Sequence, residues 1–216
     1  MGRASGRERA GLPSGRHHLS REHVVDNQLG RVLQAVVEVA GTKGYGALTV
    51  DRIVAHSGVS RRTFYELFRN KDEAFIGAYD TVVNRMSEAI VESMETADDP
   101  AAKMRAGLSE YLRFLSADPL AARVAVVEVL AAGPEAVARR DATRRRFVRT
   151  IAAFVRELDP DWPEPELTAE GMAGAVRELV YFRILRGETE TLPALFPGLL
   201  RMFVMPRRAR GPREAH

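Results

Sequence analysis

In the stretch TVDRIVAHSGVSRRTFYELFRNKDE, residues 49–73, four side chains could together read a nucleic acid: Arg61, Arg62, Tyr65 and Arg69. At about 100° per residue, Phe64, Leu67 and Phe68 share one stripe of a helix opening after Ser60, while Arg61, Arg62, Tyr65, Glu66 and Arg69 fill the opposite arc. A cationic face backed by an apolar one suits a helix laid in the major groove of DNA. The first residues of such a helix reach base edges, and arginine matches the O6/N7 pair of guanine, so Arg61 and Arg62 are the candidates for sequence readout. Tyr65 is expected to turn its hydroxyl to a phosphate, and Thr49, Ser60, Thr63 and Lys71 lie at helix starts or flanks where backbone phosphates are met. Glu66 has two open roles: accepting from a cytosine N4 or repelling the wrong register. His56 reads as a helix-surface residue, with a phosphate contact as the alternative.

Other elements must hold that face in place. Val50 to Ser57 places Val50, Ile53 and Val54 on its own apolar stripe, with Thr49 as N-cap and Asp51 complementing the positive helix end. Gly58 supplies the left-handed residue of a sharp corner, which Val59 plugs from inside. Helices this short do not persist alone. Residues 22–43 provide the third, with Val25, Leu29, Val32, Leu33, Val36, Val37 and Ala40 at helical spacing before Gly44 ends the run.

The stretch GVSRRTFYELFRNKDEAF, with Tyr65 and Phe68 at Tyr-x-x-Phe spacing and Lys71 following, resembles the recognition segment of the tetracycline-repressor (TetR) family of bacterial transcriptional regulators. The similarity covers about residues 22–80, including GYGALTV leading into DRIVAHSGVS. It implies an all-α fold, an N-terminal three-helix helix-turn-helix domain followed by a larger helical ligand-binding and dimerisation domain. The expected divisions are a basic arm over 1–20, the DNA-binding domain over 21–70, the effector-binding and dimerisation domain over 71–206, and a basic tail over 207–216. The resemblance also implies a repressor released from a palindromic operator by a small molecule. A ligand-independent or architectural DNA binder is the alternative.

Composition agrees with that class. The 216 residues contain 45% hydrophobic residues, enough for a core, and no cysteine, so neither a disulfide nor a thiolate metal site arises. No apolar run approaches the ~20 residues of a membrane span, and no leader-like segment opens the chain. A soluble cytoplasmic protein is expected. Residues 1–71 hold 12 Lys and Arg against 6 Asp and Glu, a net +6, whereas the remainder holds 20 against 23, a net −3. Positive charge therefore gathers where phosphates would lie. The arm, rich in Gly, Ser and Arg, is either a solvated tail or a means for Arg7, Arg9 and Arg16 to reach along the DNA backbone or into a minor groove. His17, His18 and His23 lack acidic or thiolate partners at ligand spacing, so no metal is expected. No nucleophile elbow, phosphate-binding glycine loop or His-Glu-x-x-His occurs. Neither catalytic residues nor a cofactor are expected.

The rest of the chain reads as helix after helix. Asn70 and Glu73 form a capping-box pattern opening a helix to about residue 97, with Phe75, Tyr79, Val82, Met86 and Ile90 inward. Asp99-Pro100, Asp118-Pro119 and Gly133-Pro134 put proline at first helical positions, and Asp159-Pro160 ends the third of these helices near Leu158. Two more are expected over about 167–186 and 192–205. Their stripes are broad, from Met172, Val176, Leu179, Val180, Phe182 and Ile184 to Leu195, Phe196, Leu199, Leu200 and Phe203, with Gly171 and Gly174 permitting close backbone approach. They suit either the chain's own core or, as the resemblance implies, a four-helix homodimer interface. Two readers ~34 to 36 Å apart would bind a palindrome together. The resemblance also implies a pocket for an unidentified small-molecule effector. Its candidate lining is Met86, Met104, Leu108, Tyr111, Phe114, Phe147, Trp162 and Tyr181. The run Arg139, Arg140, Arg144, Arg145, Arg146 and Arg149 covers several faces of one helix and suits a solvated surface, an acidic effector or pairing across a dimer. The expected partners are thus double-stranded DNA, a second copy and the effector, with no membrane.

Overall fold

The computed structural model describes residues 21–203, and within them the regular structure is helical. The arm with Arg7, Arg9, Arg16, His17 and His18, the side chain of His23, and the tail over 207–216 lie outside the described residues. Helices α1 (Arg21–Lys43), α2 (Val50–Ser57) and α3 (Arg61–Leu67) form the N-terminal unit, and α4 (Lys71–Glu95) leads into the body. The body comprises α5 (Pro100–Ala117), α6 (Pro119–Val126), α7 (Pro134–Leu158), α8 (Pro165–Leu185) and α9 (Phe196–Phe203). No described helix is long and apolar enough to cross a membrane, and no described cluster of His, Asp or Glu could hold a metal ion.

Local chemistry explains most of the boundaries. Asp99 and Asp118 cap α5 and α6 by accepting from the amides of Ala102 (2.7 Å) and Ala121 (3.0 Å), each ahead of a proline whose missing N–H the first helical turn does not need. Gly44, at φ 82°, ends the first segment as expected, and a 3-10 turn over Tyr45–Ala47 then leads to α2. The expected helix over 192–205 differs. Thr189–Leu195 is 3-10, and α-helix begins only at Phe196. Pro193 cannot donate an i→i−4 bond, so the tighter winding persists past it; Pro197 falls in the first turn of α9, where no such donor is required.

Two apolar cores meet along α4. The first joins α1, α2 and α3 to α4 and α6 through Val32, Val36, Ile53, Phe64, Phe75 and Val124, all fully buried. The second joins the distal half of α4 to α5, α6, α8 and α9 through Met86, Ile90, Leu112, Val180, Ile184 and Leu199. One 25-residue helix therefore packs against the N-terminal unit at its start and the body at its end.

Candidate nucleic-acid interface and ligand cavity

Thr49 Oγ1 accepts from the Arg52 amide at 3.2 Å, Gly58 takes φ 65°, and Ser60 Oγ accepts from the Thr63 amide at 3.0 Å. These three residues cap α2, turn the corner and cap α3. Phe64 is fully buried beneath α3, so the helix has one rotational setting, with Arg61, Arg62, Tyr65 and Glu66 outward. The Arg61 side chain is 59% exposed and that of Arg62 90% exposed. Arg61 pairs with Asp51 at 3.0 Å and Arg62 with Glu66 at 2.9 Å. Exposed pairs of this kind contribute ~0 to 1 kcal/mol, so phosphate or base can displace them. Ser60 and Thr63 also bond each other through their hydroxyls at 2.9 Å, and Lys71 Nζ lies 4.6 Å above the Tyr45 ring. His56 is exposed and bonds the Arg52 carbonyl through Nδ1.

Arg69 does not lie on α3. Phe68 turns extended (φ −141°, ψ 140°) to bury its ring, and α3 stops at Leu67. Arg69 instead pairs with Glu73 at 3.1 Å, and its amide, not that of Asn70, donates to Glu73 at 2.7 Å. The capping pair before α4 is therefore shifted by one residue on its return side, while Asn70 Oδ1 accepts from the Glu73 amide at 2.8 Å.

Behind α4 lies a cavity of about 480 Å³, within the usual size for small-molecule sites. Met86, Met104, Leu108, Tyr111, Phe147 and Trp162 line it. Phe114 and Tyr181 do not; both pack against the second core, Phe114 where it meets the first. Sequence reasoning missed Tyr79, Arg105, Thr143 and Arg177, which also line the cavity together with Arg140 and Arg144 of the basic run. The run divides by face: Arg139 turns to Asp80 of α4 at 3.1 Å, and Arg144 and Arg145 share Asp141. Burial raises the Tyr79 pKa and pushes that of Tyr111 up to about 12, so both phenols remain protonated donors at neutral pH.

The broad stripe of α8 also divides. Val180 and Ile184 are buried, and Met172 and Val176 face the cavity, whereas Leu179 (39%) and Phe182 (42%) are exposed. A Cβ added at Gly171 or Gly174 would meet nothing within 4 Å among the described residues, so none of them approaches closely there.

Residues 32–76 match the family model described as bacterial regulatory proteins, tetR family. The chain is 26% identical over 106 residues to the HTH-type transcriptional activator FasR of Mycolicibacterium smegmatis, covering 49% of this chain and 48% of that protein. It is 24% identical over 131 residues to the HTH-type transcriptional regulator EthR of the same organism, covering 60% of each. The matched region thus spans about half to three-fifths of those two relatives. The fold is similar to that of the transcriptional regulator FadR from Bacillus subtilis, solved in complex with stearoyl-CoA, at TM-score 0.73 and 20% identity over 81% of this chain and 97% of that one.

Proposed function

The chain belongs to the tetR family of bacterial transcriptional regulators, and from that premise we propose that it represses transcription as a homodimer on a palindromic operator and is released by a small molecule entering the α4 cavity. The observation carrying this reading is the placement of α4: it begins at Lys71, beside the reading helix, and further along its Tyr79, Met86 and Ile90 line the cavity. A ligand that prefers one position of α4 changes operator affinity by the same factor by which DNA changes ligand affinity. The methionines, aromatics and leucines of the lining suit an apolar chain, in keeping with the stearoyl-CoA bound by the Bacillus subtilis FadR. The division at 70/71 falls at the N-cap of α4, and we take the part before it as the reader and the part after it as the sensor and dimerisation domain.

Sites selected from random DNA test the reader. Arg61→Ala and Arg62→Ala are each expected to reduce preference for the selected site over random DNA by about tenfold, the value of a good bidentate base contact. Lys71→Ala should weaken both DNAs alike and flatten the salt dependence by about one counterion. Equal losses on both DNAs for all three variants contradict the assignment. A promoter reporter then settles direction, since repression requires expression to rise when the protein is removed and a fall would make it an activator.

The outward face of α8 supports the dimer. Gly171, Ala175, Leu179 and Phe182 recur on it at helical spacing, with small residues where two helices could approach and apolar ones where they could pack. The double variant Leu179→Glu/Phe182→Glu is expected to sediment as a monomer and to lose most operator affinity, because one reader contributes far less than two tethered ones. An unchanged dimer mass would remove this face from consideration.

A further inference from the structure

The cavity has an unbalanced charge. Arg105 from α5, Arg140 and Arg144 from α7, and Arg177 from α8 line it, and no Asp or Glu among the described residues does so. Arg144 is answered by Asp141 at 3.1 Å. Arg140 and Arg177 form no ion pair or side-chain hydrogen bond with any described residue. Burial first, and then the Arg177 guanidinium, lower the proton affinity of Arg140, while Tyr79 and Asp141 act in the opposite sense. The Tyr111 hydroxyl lies within the field of both arginines and of Tyr79. Two guanidiniums and two phenols therefore stand in the wall of a mostly apolar chamber, offering donors and positive charge where no described carboxylate lines it. Arg140 is partly buried and Arg177 reaches solvent, and guanidinium bonds to a carboxylate or phosphate are the stronger class of hydrogen bond.

We propose that this wall is an anion subsite and that the cavity takes an amphiphilic anion, its apolar chain against the Met86, Met104 and Phe147 side and its charged head between Arg140 and Arg177, with Tyr79 and Tyr111 donating to it. The inference rests on the reading of the cavity as the effector site. A free long-chain carboxylate and a thioester carried on a phosphorylated cofactor share this chemistry. Its consequence is directional: α7 and α8, which repel through these arginines, gain a common bridge to Tyr79, two turns along α4 from Lys71.

Trp162, the chain's single tryptophan, lines the cavity and reports occupancy by its fluorescence. The full-length protein is titrated with palmitate, palmitoyl-CoA and neutral hexadecanol below their aggregation limits, and operator release is followed in parallel. At least one anion is expected to bind about tenfold or more tighter than hexadecanol, the scale of a charged hydrogen bond. Arg140→Gln/Arg177→Gln should abolish that difference while leaving hexadecanol binding and the melting temperature unchanged. Palmitate alone binding identifies a compact carboxylate head, and palmitoyl-CoA alone identifies phosphates; either supports the subsite. Hexadecanol binding as tightly as both anions, neither anion binding, or the double variant keeping wild-type affinity would each overturn it. Failure of the two readings is distinguishable. If hexadecanol but no anion releases DNA, the effector cavity stands and the subsite falls; if palmitate binds through the arginines without affecting operator affinity, the subsite stands and the gating falls.

Discussion

Gly41→Ala is expected to lower the melting temperature by several degrees, although alanine is the better helix former by about 1 kcal/mol. A Cβ at Gly41 would lie 2.8 Å from both Cβ and the carbonyl oxygen of Leu120 and 2.9 Å from its Cα. Those atoms belong to the backbone and root of α6, so no rotamer change relieves the clash. Overpacking of this kind costs ~1 to 3 kcal/mol and occasionally more, and each kcal/mol corresponds to ~2 to 4 °C in a chain of this size. Gly30, in the same helix, provides the control: an added Cβ there meets nothing within 4 Å among the described residues. Gly30→Ala should raise the melting temperature slightly. Thermal unfolding of the pair is expected to give opposite signs, and a gain for both would mean that α1 and α6 do not meet at Gly41. The contact also has a functional side, since α6 belongs to the body and α1 to the reader. Separating them should weaken operator binding beyond what the loss of stability explains.

The elements most legible in the sequence are those whose determinants act within one helical turn. Thr49, Ser60, Asn70, Asp99 and Asp118 each accept from an amide three residues ahead, so their side-chain chemistry announces a helix start wherever the chain later packs. Endings set by packing are not visible in that way. α3 stops at Leu67 because the Phe68 ring is better buried with extended backbone, which moves Arg69 off the reading face. Arg139 and Arg140 are neighbours in one basic run, yet one reaches Asp80 of α4 and the other lines the cavity. Only the crossing of α4, α5 and α7 separates them, and no local pattern encodes that crossing. Phe114 and Tyr181 have the composition of a pocket lining but face the second core for the same reason. One missed residue did carry a signal. Glu128 stands alone in the apolar run AVVEVLAAG, where a charge requires a partner.

Substituting Glu128 is expected to have the second large effect, because this carboxylate links the body to the N-terminal unit through Tyr45. Its side chain is 8% exposed; Oε1 takes the Arg123 Nε–H at 2.9 Å, and Oε2 accepts the backbone N–H of Tyr45 at 2.7 Å. Tyr45 in turn packs edge-on against Phe75 with ring centroids 5.0 Å apart, lies under Lys71 Nζ, and donates its hydroxyl to Asp72. Burial first and Asp72 second raise the Tyr45 pKa, so the proton stays on the phenol and the bond to Asp72 persists through neutral pH. One carboxylate and one ring thus connect the segment after α6 to the residues opening α4. Glu128→Ala removes the acceptor, strands the Tyr45 amide and leaves Arg123 unpaired. Breaking a fully buried pair costs ~3 to 5 kcal/mol, and because the Arg123 side chain keeps 35% exposure a smaller loss of about 2 kcal/mol is expected. Glu128→Gln retains an acceptor for Tyr45 and gives up the charge, so it should lose about 1 kcal/mol and hold operator affinity near wild type. The ligand response separates coupling from stability. If this link transmits occupancy of the cavity, Glu128→Gln and Tyr45→Phe should bind ligand normally by Trp162 fluorescence yet release operator incompletely at saturation. Full release by both variants, together with a wild-type melting temperature for Glu128→Ala, would show that the signal reaches Lys71 along α4 alone.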